Sequence, residues 1–251
     1  MNVTANEIEE LLKEERNDTQ RNLLMRFFKT GPGEYGEGDR FLGLKVPQTR
    51  AIVKSARLMV SHQEIERLLH SEWHEVRLCG LLLMVEEMKA NIPGKRDSHE
   101  LLREKEANRE KIAGLYLRNA RQANNWDLVD LSCEYVLGVY LRLSGKDDYS
   151  ILRRLALSDN LWEQRIAIVT TLEFIRNGIF TPTLDIADML IDHPHDLIHK
   201  ALGWMLREIG KRNRNLLTDY LEKNHRRLHR TSLRYAIERL PENERLYWLK
   251  K

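Results

Sequence analysis

From Ile8 to Thr30 the apolar positions recur at three- and four-residue intervals, the period of an amphipathic helix. The pattern stops at a glycine-rich stretch, GPGEYGEGD (31 to 39), which reads as a loop. In FLGLKVPQTR (41 to 50), Pro47 fits the first turn of a helix that continues through AIVKSARLMV. A short helix follows over SHQEIERLLH, and another from Trp73 to Met88 is stopped by NIPG. A charged helix from about Ser98 to Ala120 precedes one over NNWDLVDLSCEYVLGVYL, where Asn125 suits the N-cap. Helix pairs then continue to the C-terminus, and no segment shows the alternation of a strand. The pattern predicts an all-α chain.

The helices repeat. Asp130, Arg165, Lys200 and Arg234 are separated by 35, 35 and 34 residues, each within a predicted helix, and Arg77 is a less regular member 53 residues before Asp130. A two-helix period in the mid-thirties predicts a HEAT-like helical-repeat solenoid, an alpha-alpha superhelix formed as a single domain over residues 1–251. Stacking would then place the register residues on one concave face; an ordinary antiparallel bundle is the plainer alternative. Tryptophans accompany three of these positions: Trp126 lies four residues before Asp130, Trp162 three before Arg165, and Trp204 four after Lys200, each pair sharing a helix face. Taken singly, each tryptophan could be core packing, and Asp130 and Arg165 could be a structural ion pair.

Charge changes the picture through its distribution. The 251 residues carry 41 Lys+Arg against 38 Asp+Glu, a formal charge of only +3, which argues weakly against a polyanionic partner. Yet Lys211, Arg212, Arg214, Lys223, Arg226, Arg227, Arg230 and Arg234 fall in one run opposed by Asp219 and Glu222 alone, whereas the first helix is acidic. Such a run suits phosphates, although it can equally be a solvated helix face. The N-terminus has no apolar signal core, no apolar stretch would span a bilayer, and Cys79 and Cys133 form no C-x-x-C site, so a cytoplasmic, reduced protein is expected. Nucleotide-loop and metalloprotease signatures are absent. His193, His195 and His199 include one i,i+4 pair but no evident third ligand; no metal and no cofactor are expected.

Four stretches, FLGLKVPQTR (41 to 50), NNWDLVDLS (124 to 132), SDNLWEQRIAI (158 to 168) and KALGWMLREIGK (200 to 211), resemble the bacterial DNA alkylation repair family of HEAT-like alkylpurine DNA glycosylases. The resemblance runs over roughly residues 10 to 240. It implies hydrolysis of the N-glycosidic bond of N3- or N7-alkylated purines in duplex DNA by a monofunctional enzyme that does not flip the lesion into a deep pocket. The family's functional set falls on Trp126, Asp130, Arg165 and Trp204. It implies that Asp130 opposes positive charge at the sugar and orients water, that Trp126 and Trp204 flank the sugar, and that Arg165 clamps a phosphate. Lys200, Lys211, Arg230, Arg234 and Trp162 are the further expected DNA contacts, resting on register and the basic run. The expected partner is damaged duplex DNA, bound by a monomer. The alternatives are a non-catalytic module for damaged or branched DNA and a protein–protein scaffold. The loop at 31–39 could reach DNA or cap the solenoid.

Overall fold

The computed structural model describes residues 3–145 and 149–251 and is all-α, with sixteen α-helices among the described residues. They form two compact units, Met1–Tyr140 and Leu141–Lys251.

The first unit opens with α1 (Ala5–Glu14) and α2 (Asp18–Phe27), where the hydrophobic pattern predicts one continuous helix. The break is chemical. The Asn17 side chain accepts from the Gln20 amide as the N-cap of α2, and its backbone N–H donates to the Leu42 carbonyl at 3.1 Å. An N-cap residue is extended rather than helical, so the amphipathic period survives while the axis changes direction. Next come α3 (Val46–Ala56), with Pro47 in its first turn, and α4 (His62–Leu69), capped by Ser61. The central element is α5 (His74–Ala90), which packs against α1, α3 and α4, and against α6 (His99–Arg118) and α7 (Trp126–Asp130). Its LCGLLLMV run is apolar on every side because neighbours surround it.

Asn125 caps α7 as expected, accepting from the Trp126 amide at 2.9 Å. The helix predicted beyond it is interrupted: α7 ends at Asp130, a wider π-type turn spans Glu134–Gly138, and α8 (Val139–Leu143) follows. Ser132 contributes to the break by donating its hydroxyl to the Leu128 carbonyl at 2.5 Å.

The second unit contains the repeat. Here α9 (Ser150–Ala156) pairs with α10 (Leu161–Thr170), which α11 (Leu172–Arg176) extends. Then α12 (Thr181–Leu190) pairs with α13 (Asp196–Gly210), α13 packs in turn against α14 (Arg214–Asn224) and α15 (Arg230–Ala236), and α16 (Glu242–Lys250) closes the chain. Side chains bond their counterparts one repeat away: Arg142 with Glu173, Arg153 with Asp185, Arg227 with Asp192, and Thr231 with Asp196. Equivalent positions on successive helix pairs therefore adjoin, as the mid-thirties period requires. A close approach occurs at Gly203, where a Cβ would lie 2.5 Å from both the Ser232 carbonyl oxygen and the Tyr235 Cβ. Only glycine lets α13 and α15 pack this tightly. No described helix is long and apolar enough to cross a membrane.

Candidate active-site pocket

The motif FLGLKVPQTR begins as an extended segment whose backbone N–H groups have no helical partners. Glu75, in the first turn of α5 and 2% exposed, satisfies three of them: its carboxylate accepts from Leu42 at 2.9 Å, Gly43 at 2.8 Å and Leu44 at 3.0 Å. Charge-assisted bonds of this kind contribute about 1.5–3 kcal/mol each and offset the desolvation of the carboxylate. Gly43 has φ +97°, and a Cβ there would meet the Asn17 carbonyl oxygen at 2.1 Å, so the segment tolerates no side chain at that point.

The glycine-rich loop is a delivery device. Its amides are taken by its own glutamates, Glu34 accepting from Gly31 and Glu37 from Gly33, both at 2.9 Å. The loop ends by inserting Asp39 into the unit's interior, where it is 5% exposed. There Asp39 bonds His74 Nδ1 at 2.7 Å and pairs with Arg77, while His74 Nε2 bonds Asp127 at 2.9 Å. Burial alone would push the His74 imidazole down, but the Asp127 and Asp39 carboxylates together raise it to about 9, so both ring nitrogens donate as an imidazolium. Burial likewise pushes Asp39 up, and His74 with Arg77 overcomes it and holds the acid below its ordinary range. Arg77, predicted as a member of the charged face, is thus 5% exposed and spent on Asp39 and the Ser71 carbonyl.

This network ties the loop and α5 to the first turn of α7, and α7 presents Trp126 and Asp130 on one face. Both line a pocket of about 410 Å³ within the first unit. Its walls are aromatic. Phe28 stacks on Trp126 (5.2 Å between centroids, 25°) and on Phe41 (5.1 Å, 18°), Phe41 stacks on His74 (4.2 Å, 20°), and Phe27 meets Trp126 edge-on at 5.8 Å. Its charged lining is Glu75, Asp127, Asp130, Lys45 and His74. Asp127 is 6% exposed; its Oδ2 faces His74, and its Oδ1 has no hydrogen-bond donor among the described residues. Electron-rich ring faces and carboxylates together favour positive charge in such a cavity.

The other expected residues belong to the second unit. Trp162, in the first turn of α10, is 6% exposed, so most of its surface is packed. Arg165 is 5% exposed and donates to the Leu197 carbonyl at 2.6 Å, joining α10 to the first turn of α13. Trp204 is half-buried on α13, beside Gly203. Lys200 pairs with Asp196 at 2.8 Å, and Lys211 with Glu208 at 2.5 Å. Arg230 and Arg234 are exposed one turn apart on α15, and Arg230 donates to the Leu249 carbonyl at 2.9 Å. The basic run is less free than its composition implies, because acids from outside the run reach it: Glu208 pairs with Lys211 and Arg212, Glu244 with Arg214, and Asp192 with Arg227. No ion pair engages Lys223, Arg226, Arg230 or Arg234 among the described residues.

Asp196, His199 and His229 bring potential metal-ligand atoms within 4.8 Å of one another. The two rings stack at 3.9 Å and 15°, so their in-plane lone pairs lie side by side instead of converging on one point. The Asp196 carboxylate also already accepts from Lys200 and Thr231. His193 and His195 serve as local caps, their Nδ1 atoms accepting from the His195 and Leu197 amides.

Sequence reasoning placed Trp126 and Asp130 on a shared face and did not find the aromatic wall or the Asp39–His74–Asp127 chain. The available signals were the adjacent Phe27 and Phe28, the Phe41 that opens FLGL, and His74–Glu75 at a helix start.

Residues 8–240 match the sequence profile of a family described as DNA alkylation repair enzyme. No curated protein matches the chain. Among solved structures, the chain is similar to a predicted DNA alkylation repair enzyme from Enterococcus faecalis, with a TM-score of 0.66 and 18% sequence identity, covering 90% of this chain and 97% of that one. That likeness concerns the fold.

Proposed function

The chain belongs to the DNA alkylation repair enzyme family, and from that premise we propose that it is an alkylpurine DNA glycosylase. It would hydrolyse the N-glycosidic bond of N3- and N7-alkylated purines in duplex DNA, with water as the nucleophile and an abasic site as product. The observation that carries the reading is the placement of Asp130 and Trp126 together on one face of α7, lining an aromatic pocket.

Alkylation at N3 or N7 makes the purine cationic, so the departing base leaves neutral and needs little help from an acid. The barrier lies in positive charge developing on the deoxyribose, and a fixed carboxylate beside it lowers that barrier. Asp130 supplies the carboxylate and orients the attacking water; Trp126 and Trp204 offer ring faces to the cationic sugar. Arg165 clamps a neighbouring phosphate through its guanidinium fork. Arg230 and Arg234 hold backbone phosphates, Lys200 and Lys211, each paired with an acid, contribute less, and Trp162 is a further DNA contact. The hydrolysis itself requires no cavity for the base.

The test is release of 3-methyladenine or 7-methylguanine from methylated duplex DNA by the purified protein. Asp130→Asn should lower release by about 10²–10³-fold while duplex affinity does not fall, because the change removes a charge that repels phosphate. Duplex binding with no release by the unaltered chain would leave a non-catalytic module for damaged DNA. Equal release by both proteins would remove Asp130 from the chemistry.

A further inference from the structure

Phe41 also borders a second cavity of the first unit, of about 270 Å³, whose charge is opposite to that of the first. Its charged lining is Arg21 from α2 and Arg40 at the head of FLGL, with no carboxylate among the described residues, whereas the cavity beside Asp130 carries three. Arg40 is held from two directions. Its carbonyl accepts from the His74 amide at 2.7 Å, and its guanidinium lies over the Trp73 ring, 4.7 Å from the centroid. A guanidinium stacked by its face keeps its N–H groups in plane, where they can bond at the edge. That edge now meets Glu72. Arg21 pairs with Asp18 at 2.9 Å, an acid that Arg16 also holds at 3.0 Å. Both acids are exposed and neither lines the cavity. Exposed pairs of this kind contribute little and exchange readily. Two like charges bordering one small cavity repel each other unless an anion lies between them.

We propose that this second cavity binds a phosphate ester, with the phosphoryl group between the Arg21 and Arg40 guanidiniums. Asn22 supplies a further donor, and the organic group lies against Met25 and the half-buried Trp73. A phosphoryl group offers three acceptor oxygens and up to two charges, so it can engage both forks at once, which Asp18 and Glu72, each holding one of the two arginines, do not. The volume agrees: it falls just below the range of drug-sized sites, roughly 300–1,000 Å³, and suits a phosphate with one small substituent. A free nucleotide and the backbone of DNA present the same chemistry. The proposal goes beyond the glycosylase reading and does not depend on it.

The experiment is calorimetric titration of the intact protein with 2′-deoxyadenosine 5′-monophosphate at low salt, with 2′-deoxyadenosine as the control that lacks the phosphate. The monophosphate should bind saturably and about tenfold or more tightly than the nucleoside. Neither arginine is buried, so Arg21→Ala and Arg40→Ala should fold normally, which urea unfolding checks. Each should weaken binding by about tenfold, on the scale of one charge-assisted contact, and Arg40→Lys by less, because it keeps the charge and loses the fork. Absence of saturable binding, equal affinity for the nucleoside, or full binding by the double variant Arg21→Ala/Arg40→Ala would each overturn the proposal; the last would place the nucleotide on the basic run of the second unit. Duplex DNA added to the nucleotide-bound protein separates the two sources. Displacement of the nucleotide, with a salt slope flattened by about 0.9 in Arg21→Ala, assigns the cavity to the DNA backbone. Nucleotide retained beside bound duplex assigns it to a free phosphate ester.

Discussion

In the first unit Asp39, His74, Glu75, Arg77 and Asp127 are each no more than 6% exposed and bond to one another or to backbone, whereas in the second Lys223, Arg226, Arg230 and Arg234 lie in solvent. The two placements do different work. Buried charges in mutual contact are little screened and fix positions, so the first unit spends its charge on holding α7, the FLGL segment and the glycine-rich loop in one geometry. Exposed cations on short helices fix little, yet their field reaches about a Debye length into solvent and attracts phosphate. The chemistry proposed for Asp130 needs the first kind of charge, and capture of a polyanion needs the second.

The sharpest way to break this contrast is at its buried end. In His74→Gln the amide cannot donate to Asp39 and Asp127 together as a charged ring does, which leaves a buried carboxylate without its counter-charge. Breaking such a pair costs about 3–5 kcal/mol. The unfolding midpoint in urea should fall accordingly, and base release should fall with it as α7 loosens, even under conditions where the protein remains folded. A variant as stable as the parent would show that the network is not what holds the site.

The same residue predicts a pH dependence. His74 is raised from an ordinary value of about 6.5 to about 9 in the folded chain. The folded state therefore binds the proton more tightly than the unfolded state. The resulting stability is present in full below about pH 6.5 and is lost as pH rises through about 9, on the order of 3 kcal/mol in all. Urea unfolding measured across that window should show the decline in the parent chain and a flatter profile in His74→Gln. Parallel profiles would mean that another group carries the proton.

Much of this contrast could be read from the chain in advance, and the rest could not, for a definite reason. Periodicity gave the all-α class, Asn125 announced a helix start, and ion pairs about one repeat apart, such as Arg227 with Asp192, join successive helices of the second unit. The shared face of Trp126 and Asp130 followed from a spacing of four. The buried network did not follow, because His74 lies 35 residues from Asp39 and 53 from Asp127, and no local pattern joins three ordinary titratable residues across such distances. The pairing of the basic run is hidden from the sequence for a related reason. Its neutralising acids, Asp192 and Glu244, lie about one repeat away, outside the run itself. The split of α1 from α2 is invisible to periodicity because Asn17 interrupts the backbone without interrupting the apolar period.

At the exposed end, removal of cations should act on affinity and its salt dependence and leave stability nearly untouched. Each phosphate contact contributes about −0.9 to the slope of log affinity against log salt for duplex DNA. The double variant Arg230→Ala/Arg234→Ala should therefore flatten the slope by nearly two, with an unfolding midpoint close to that of the parent. An unchanged slope would take α15 out of the interface.

The smallest effect expected is the one that separates a paired cation from an exposed one. Lys211 belongs to the same run as Arg234, but its ammonium lies 2.5 Å from Glu208, a carboxylate that also holds Arg212 at 3.2 Å. Before Lys211 could transfer to a phosphate it would have to give up that bond, and Glu208 would then repel the same phosphate. Lys211→Ala should thus change the salt slope by well under one, while Arg234→Ala alone should change it by about 0.9. Both slopes can be taken from one series of duplex titrations at increasing salt. If Lys211→Ala flattens the slope as much as Arg234→Ala, then DNA draws the lysine away from Glu208, and composition alone would have described the second unit's surface better than its ion pairs do.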